Sequence, residues 1–119
     1  MRKCIAGACA LAVVATCSPA QAQSRRAMEA EETGVAQIHS WVKVGRKTCM
    51  VDHFHDGSGT GPSRKQAERA AITAWSEFTA WEYGTPWGRY SIAESRKTDC
   101  SQSGSGWNCA VQARACRPY

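Results

Sequence analysis

The chain has 119 residues, a formal charge of +5 and 43% hydrophobic residues. That length suits one small domain rather than several. The basic residues cluster no further than pairs (Arg25-Arg26, Arg46-Lys47, Arg64-Lys65, Arg96-Lys97) and form no stripe interleaved with aromatics, so nucleic acid is not expected as a partner.

At the N-terminus, Arg2 and Lys3 precede an apolar run from Ile5 to Thr16, and Ala20-Gln21-Ala22 has the small-x-small pattern that signal peptidase reads. Residues 1–22 are expected to be a signal peptide cleaved after Ala22. The apolar run is about 12 residues, short of the ~20 that span a bilayer, so no transmembrane segment is expected. An alternative is a lipoprotein signal, Val14-Ala15-Thr16-Cys17, anchored through Cys17. There, however, Thr16 stands where such signals carry Gly, Ala or Ser. Taking 22 residues from 119 leaves 97, and losing Arg2 and Lys3 takes the charge from +5 to +3. A periplasmic or secreted protein is expected.

Residues 23–37 are polar and lack an apolar period, which suits a mobile N-terminal arm; residues 38–119 form the domain. From Ile38 to Phe54, Val42 and Val44 alternate with Lys43 and Gly45, the pattern of a strand with a bulge at Gly45. Ser63 and Gln66 fit a capping box. Ala67, Ala70, Ala71, Ala74, Trp75, Phe78 and Trp81 then recur at helical spacing, one apolar stripe expected to face the core, and Gly84 and Pro86 end the helix. Residues 86–94 suit a short helix or a strand equally. The stretch from Ser95 to Gln102 pairs with a strand in which Trp107, Cys109, Val111, Ala113 and Ala115 share one face. The fold class is α+β, one long amphipathic helix on a small antiparallel sheet in the order β-α-β-β.

Cys4, Cys9 and Cys17 leave with the leader; Cys49, Cys100, Cys109 and Cys116 stay, an even number that predicts two disulfides in an oxidising compartment. A type II′ turn at Gly104-Ser105 sets Cys100 opposite Cys109, which leaves Cys49 with Cys116. The alternative pairing is Cys49–Cys109 with Cys100–Cys116. No C-x-x-C pair exists, so neither a thiolate zinc site nor a redox dithiol is expected.

The set Ala70-Ala71-Ile72-x-x-Trp75, Tyr83-Gly84, Trp87, Ala93, Cys100 and Trp107-x-Cys109-x-Val111-x-Ala113-x-x-Cys116 resembles small exported proteins of alphaproteobacteria, rhizobia especially, whose function is uncharacterised. The likeness covers residues 63 to 117. It implies an exported location and supplies no catalytic residue.

The stretch "HFHDGSGTGPSRK", residues 53–65, carries the chemistry. On a strand His53 and His55 share a face and can hold one zinc or copper ion, with Asp56 or His39 as a further ligand. Ser63, Arg64 and Lys65 at a helix start can hold a simple anion. The glycines match neither a P-loop nor a dinucleotide fingerprint, and the plainest expectation for the stretch is a strand end, a loop and a helix cap. With every mature cysteine paired and no triad motif, no enzyme is expected. Two functions follow. The first is a non-catalytic binding domain, needing no cofactor, whose partner is an extracytoplasmic protein or small ligand met by an exposed patch around Trp41, Trp87 or Tyr90. The second is a periplasmic metal-binding protein using His53, His55 and Asp56.

Overall fold

The computed structural model describes residues 35–118. The expected signal peptide, Cys17 and the expected arm as far as residue 34 lie outside the described residues. The described residues begin with a 3₁₀ turn, Val35–Ile38, in which Ala36 is fully buried. Residues 35–37, assigned above to the arm, thus belong to the domain.

Four antiparallel strands follow: β1 (Trp41–Val44), β2 (Lys47–Gly61), β3 (Glu94–Ser103) and β4 (Gly106–Pro118), in the spatial order β1-β2-β4-β3. Among the described residues one α-helix, α1 (Arg64–Tyr83), covers one face. The stretch expected to be one strand is a hairpin. Gly45 takes φ +60 and turns the chain, so that Val44 pairs with Lys47. Left-handed backbone suits glycine, and the residue expected to mark a bulge marks a turn.

The bulge lies further on. Cys49 pairs with Cys116 and Phe54 with Arg114, so four residues of β2 oppose one of β4. The Arg114 guanidinium donates to the carbonyls of Met50 (3.1 Å) and Val51 (2.9 Å), satisfying backbone that the ladder leaves unpaired. Beyond the bulge β2 runs without a break to Gly61, so "GSGTG" is strand and not loop. Gly57, Gly59 and Gly61 alternate along the face under α1, and a Cβ on any of them would meet atoms of the helix. Their absence of side chains lets helix and sheet lie in close contact.

The Ser63 hydroxyl caps α1 by accepting from Gln66 N (3.3 Å) and donates to Gln66 Oε1 (2.9 Å), while Gly84 (φ 104) ends it. The buried row is Ala67, Ala71, Trp75, Thr79 and Tyr83. Phe78 and Trp81, expected in the core, are 45% and 81% exposed. The helix lies on the sheet along its i, i+4 row. At ~100° per residue Trp81 stands about 120° round from Trp75, away from β2. The bulk is supplied instead by Trp75, Tyr83 and Trp87, all fully buried.

Residues 86–93 form neither a full helix nor a strand: two 3₁₀ turns, Thr85–Trp87 and Tyr90–Ile92, carry the chain across to β3, which starts at Glu94. The Gly104-Ser105 hairpin has the expected register, with φ +60 at Gly104, Ser103 opposite Gly106 and Cys100 opposite Cys109. The disulfides are Cys100–Cys109 and Cys49–Cys116.

Candidate metal site

β2 is buried on the helix side, and its period-2 alternation puts His53, the last residue of the bulge, and His55, just beyond it, on that side. Their ring centroids are 5.2 Å apart. Asp56, one position on, faces away and accepts from Gln112 Nε2 (3.0 Å) on the outer face of the sheet. The carboxylate that joins the histidines is Glu82, in the last turn of α1. A ligand atom from each of His53, His55 and Glu82 lies within 4.8 Å of the others. Sequence spacing gave no sign of Glu82, since 27 residues part it from His55 and only the packing of α1 on β2 brings them together.

His55 is held from three sides by one helix face. Trp75 Nε1 donates to the His55 carbonyl (3.0 Å), Thr79 Oγ1 lies 2.8 Å from Nδ1, and Glu82 Oε2 lies 2.8 Å from Nε2. Residues 75, 79 and 82 follow the i, i+4, i+7 spacing of one face. Tyr83 stacks on the imidazole at 4.6 Å with the planes 19° apart. The His55 Nε2–Glu82 contact has ion-pair distance without the alignment of a hydrogen bond. The Thr79 hydroxyl can donate to Nδ1 or accept from it, so Nε2 turns either an N–H or a lone pair toward Glu82, and the lone-pair form is the one that would bind an ion. Burial lowers the His55 pKa, against the opposing pull of Glu82 and with the help of His53 and His39. The neutral imidazole that burial favours is also the form that ligates a metal.

His39 completes the cluster from the segment before β1. Its Nε2 is 3.1 Å from His53 Nδ1, and its Nδ1 is 2.9 Å from the Val35 carbonyl. A cleft of about 220 Å³ opens beside it, lined by Ile38, His39, Ser40, Val51, Asp52 and His53. Tyr83 backs the site with a buried hydroxyl, and burial first, then Glu82, drives its pKa well above the usual phenol value.

No family model, curated protein or solved structure matches this chain.

The other sequence candidates do not converge on a ligand. Ser63 spends its hydroxyl on Gln66, while Arg64 and Lys65 point into solvent. Of the aromatic patch expected around Trp41, Trp87 and Tyr90, only Trp41 is exposed and Tyr90 is half-buried. Trp87 is fully buried, Tyr90 packs on Trp75 (5.2 Å) and Trp41 lies against Trp87 (5.4 Å), with Arg117 over both indoles. Among the described residues the exposed aromatics are Trp41, Phe54, Phe78 and Trp81, and the last two have rings 6.0 Å apart on the outer side of α1. No described helix is long and apolar enough to cross a membrane.

Proposed function

We propose that this chain is a small exported, non-catalytic domain that binds one zinc or copper(II) ion through His53, His55 and Glu82. The observation that carries the reading is the convergence of two imidazoles and a carboxylate within 4.8 Å at the buried junction of β2 and α1. In tetrahedral zinc, ligand atoms stand about 3.3 Å apart at metal–nitrogen distances of ~2.0–2.1 Å. From the 4.8 Å within which the donor atoms now lie, that spacing asks for a closure of at most about 1.5 Å. Two nitrogens and one oxygen suit zinc or copper(II) over magnesium or calcium, which prefer all-oxygen sets. The last turn of α1, where Glu82 sits, adds the negative end of the helix dipole. Export rests on the leader pattern, the two disulfides and the likeness to small exported alphaproteobacterial proteins.

The test is titration of the oxidised, metal-free protein with zinc and with copper(II), read by native mass and thermal unfolding. One ion per chain is expected. At a free concentration 100-fold above Kd the native state gains about 2.7 kcal/mol, a rise of roughly 10–20 °C for a domain this size. H53Q and E82Q each weaken binding at least tenfold, and D56N does not. Unchanged melting at millimolar zinc and copper, or binding indifferent to both H53Q and E82Q, overturns the reading.

A further inference from the structure

His39 belongs to the cluster without being one of its three converging ligands, and its two nitrogens have different duties. The Val35 carbonyl can only accept, so the 2.9 Å contact makes His39 Nδ1 a donor. In a neutral imidazole the other nitrogen, Nε2, is then an acceptor. It lies 3.1 Å from His53 Nδ1, with the rings at 88°. The proton of that contact therefore sits on His53 Nδ1, and the His53 lone pair is on Nε2.

We propose that His39 is the positioning residue of the metal site: by accepting from His53 Nδ1 it holds His53 in the tautomer that offers Nε2 to the ion. The inference rests on the metal reading above, and supplies the second hydrogen bond that ligating histidines characteristically make. The segment carrying His39 is itself fixed. Ala36 is fully buried, and its carbonyl accepts from Trp41 Nε1 (2.8 Å) and from the His39 amide (3.2 Å). The Val51 amide donates to the Ser40 carbonyl (3.0 Å), tying the segment to the bulge of β2, and the Tyr83 ring meets His39 edge-on at 5.3 Å. The sequence between Val35 and Ser40 thus presents a rigid acceptor to His53 rather than a loose side chain.

The experiment uses the oxidised full domain, labelled with ¹⁵N-histidine and stripped of metal, at a pH where its imidazoles are neutral. Long-range ¹H–¹⁵N correlation spectra assign the proton on each ring. In the wild type His53 should carry its proton on Nδ1. H39L should move it to Nε2, the tautomer a free imidazole favours, and weaken zinc binding about 10–100-fold. H39Q, which keeps an acceptor oxygen, should restore the Nδ1 tautomer and bring affinity back to within a few-fold of wild type. A His53 proton on Nε2 in the wild type, or H39L binding zinc within twofold of wild type, overturns the proposal. The tautomer is read without metal, so the two failures separate. A wild type that takes up no zinc refutes the proposed function, whereas one that binds zinc equally well without His39 refutes only this assignment. Should H39L fold poorly, the wild-type tautomer and H39Q still decide the matter.

Discussion

Gly59 is where helix and sheet touch, and Gly59→Ala measures how much of the fold depends on that contact. A Cβ at this position would stand 2.5 Å from Ala70 Cβ and 2.6 Å from Ala70 C, with the Ala71 amide nitrogen closer still. None of these atoms can swing aside, because two belong to helix backbone and the third is fixed to it. Ordinary contact begins near 3.4 Å, so α1 must lift by about 1 Å, a gap that forfeits between a quarter and a half of each dispersion contact along the row. Overpacking typically costs ~1–3 kcal/mol, and a backbone obstacle belongs at the upper end, about 3 kcal/mol. At ~4–8 °C per kcal/mol the melting temperature falls roughly 12–24 °C. Gly45→Ala is the control: nothing lies within 4 Å of its Cβ, and its φ of +60 predicts a cost of only about 1 kcal/mol. The assay is thermal unfolding by circular dichroism under oxidising conditions. A G59A protein melting within 5 °C of wild type, or no lower than G45A, would refute the idea that the glycine row exists for close approach.

The two disulfides should contribute unequally. Cys49–Cys116 spans 67 residues and Cys100–Cys109 only 9, so loop-closure entropy predicts losses of about 4 and about 3 kcal/mol for the paired alanine replacements; urea unfolding that ranked them the other way would contradict that account. In the metal-free protein the lowered His55 pKa means the unfolded chain binds the extra proton first. Stability therefore falls as the pH drops through the ordinary histidine value of 6.5. Melting temperatures between pH 7.5 and 5 in a chelator should show this decline, and H55N should flatten it; an equally steep decline in H55N would show that other groups cause it.

What the sequence made legible was local or pairwise. The Cys100–Cys109 bridge follows from one turn and the two-residue alternation of a hairpin, and the second bridge then follows from the cysteines left over. The helix was visible in its period and its Ser63 cap. Three features were hidden because they depend on how elements meet. The glycines of "GSGTG" have the composition of a loop, and only a helix lying on them explains why a strand would use so many. The direction in which α1 crosses the sheet decides that Tyr83 goes in and Trp81 stays out, although both fit a helical stripe. Glu82 gave no signal beside the histidines, and Asp56 gave a false one, because strand alternation turns the adjacent residue to the other face.

The placement of the candidate site answers a weakness in the staples. Cys49 and Cys116 join β2 to β4, and Cys100 and Cys109 join β3 to β4, so both bridges lie within the sheet. Neither ties α1 to it. Packing across the glycine row, the bond from Trp75 to the His55 carbonyl and the contacts of His55 with Thr79 and Glu82 hold that junction. An ion shared between His53 and His55 on the strand and Glu82 on the helix would cross-link the two layers where no covalent bond does. The ligands belong to separate elements, so the unfolded chain offers no comparable site. Binding free energy then goes into holding helix against sheet.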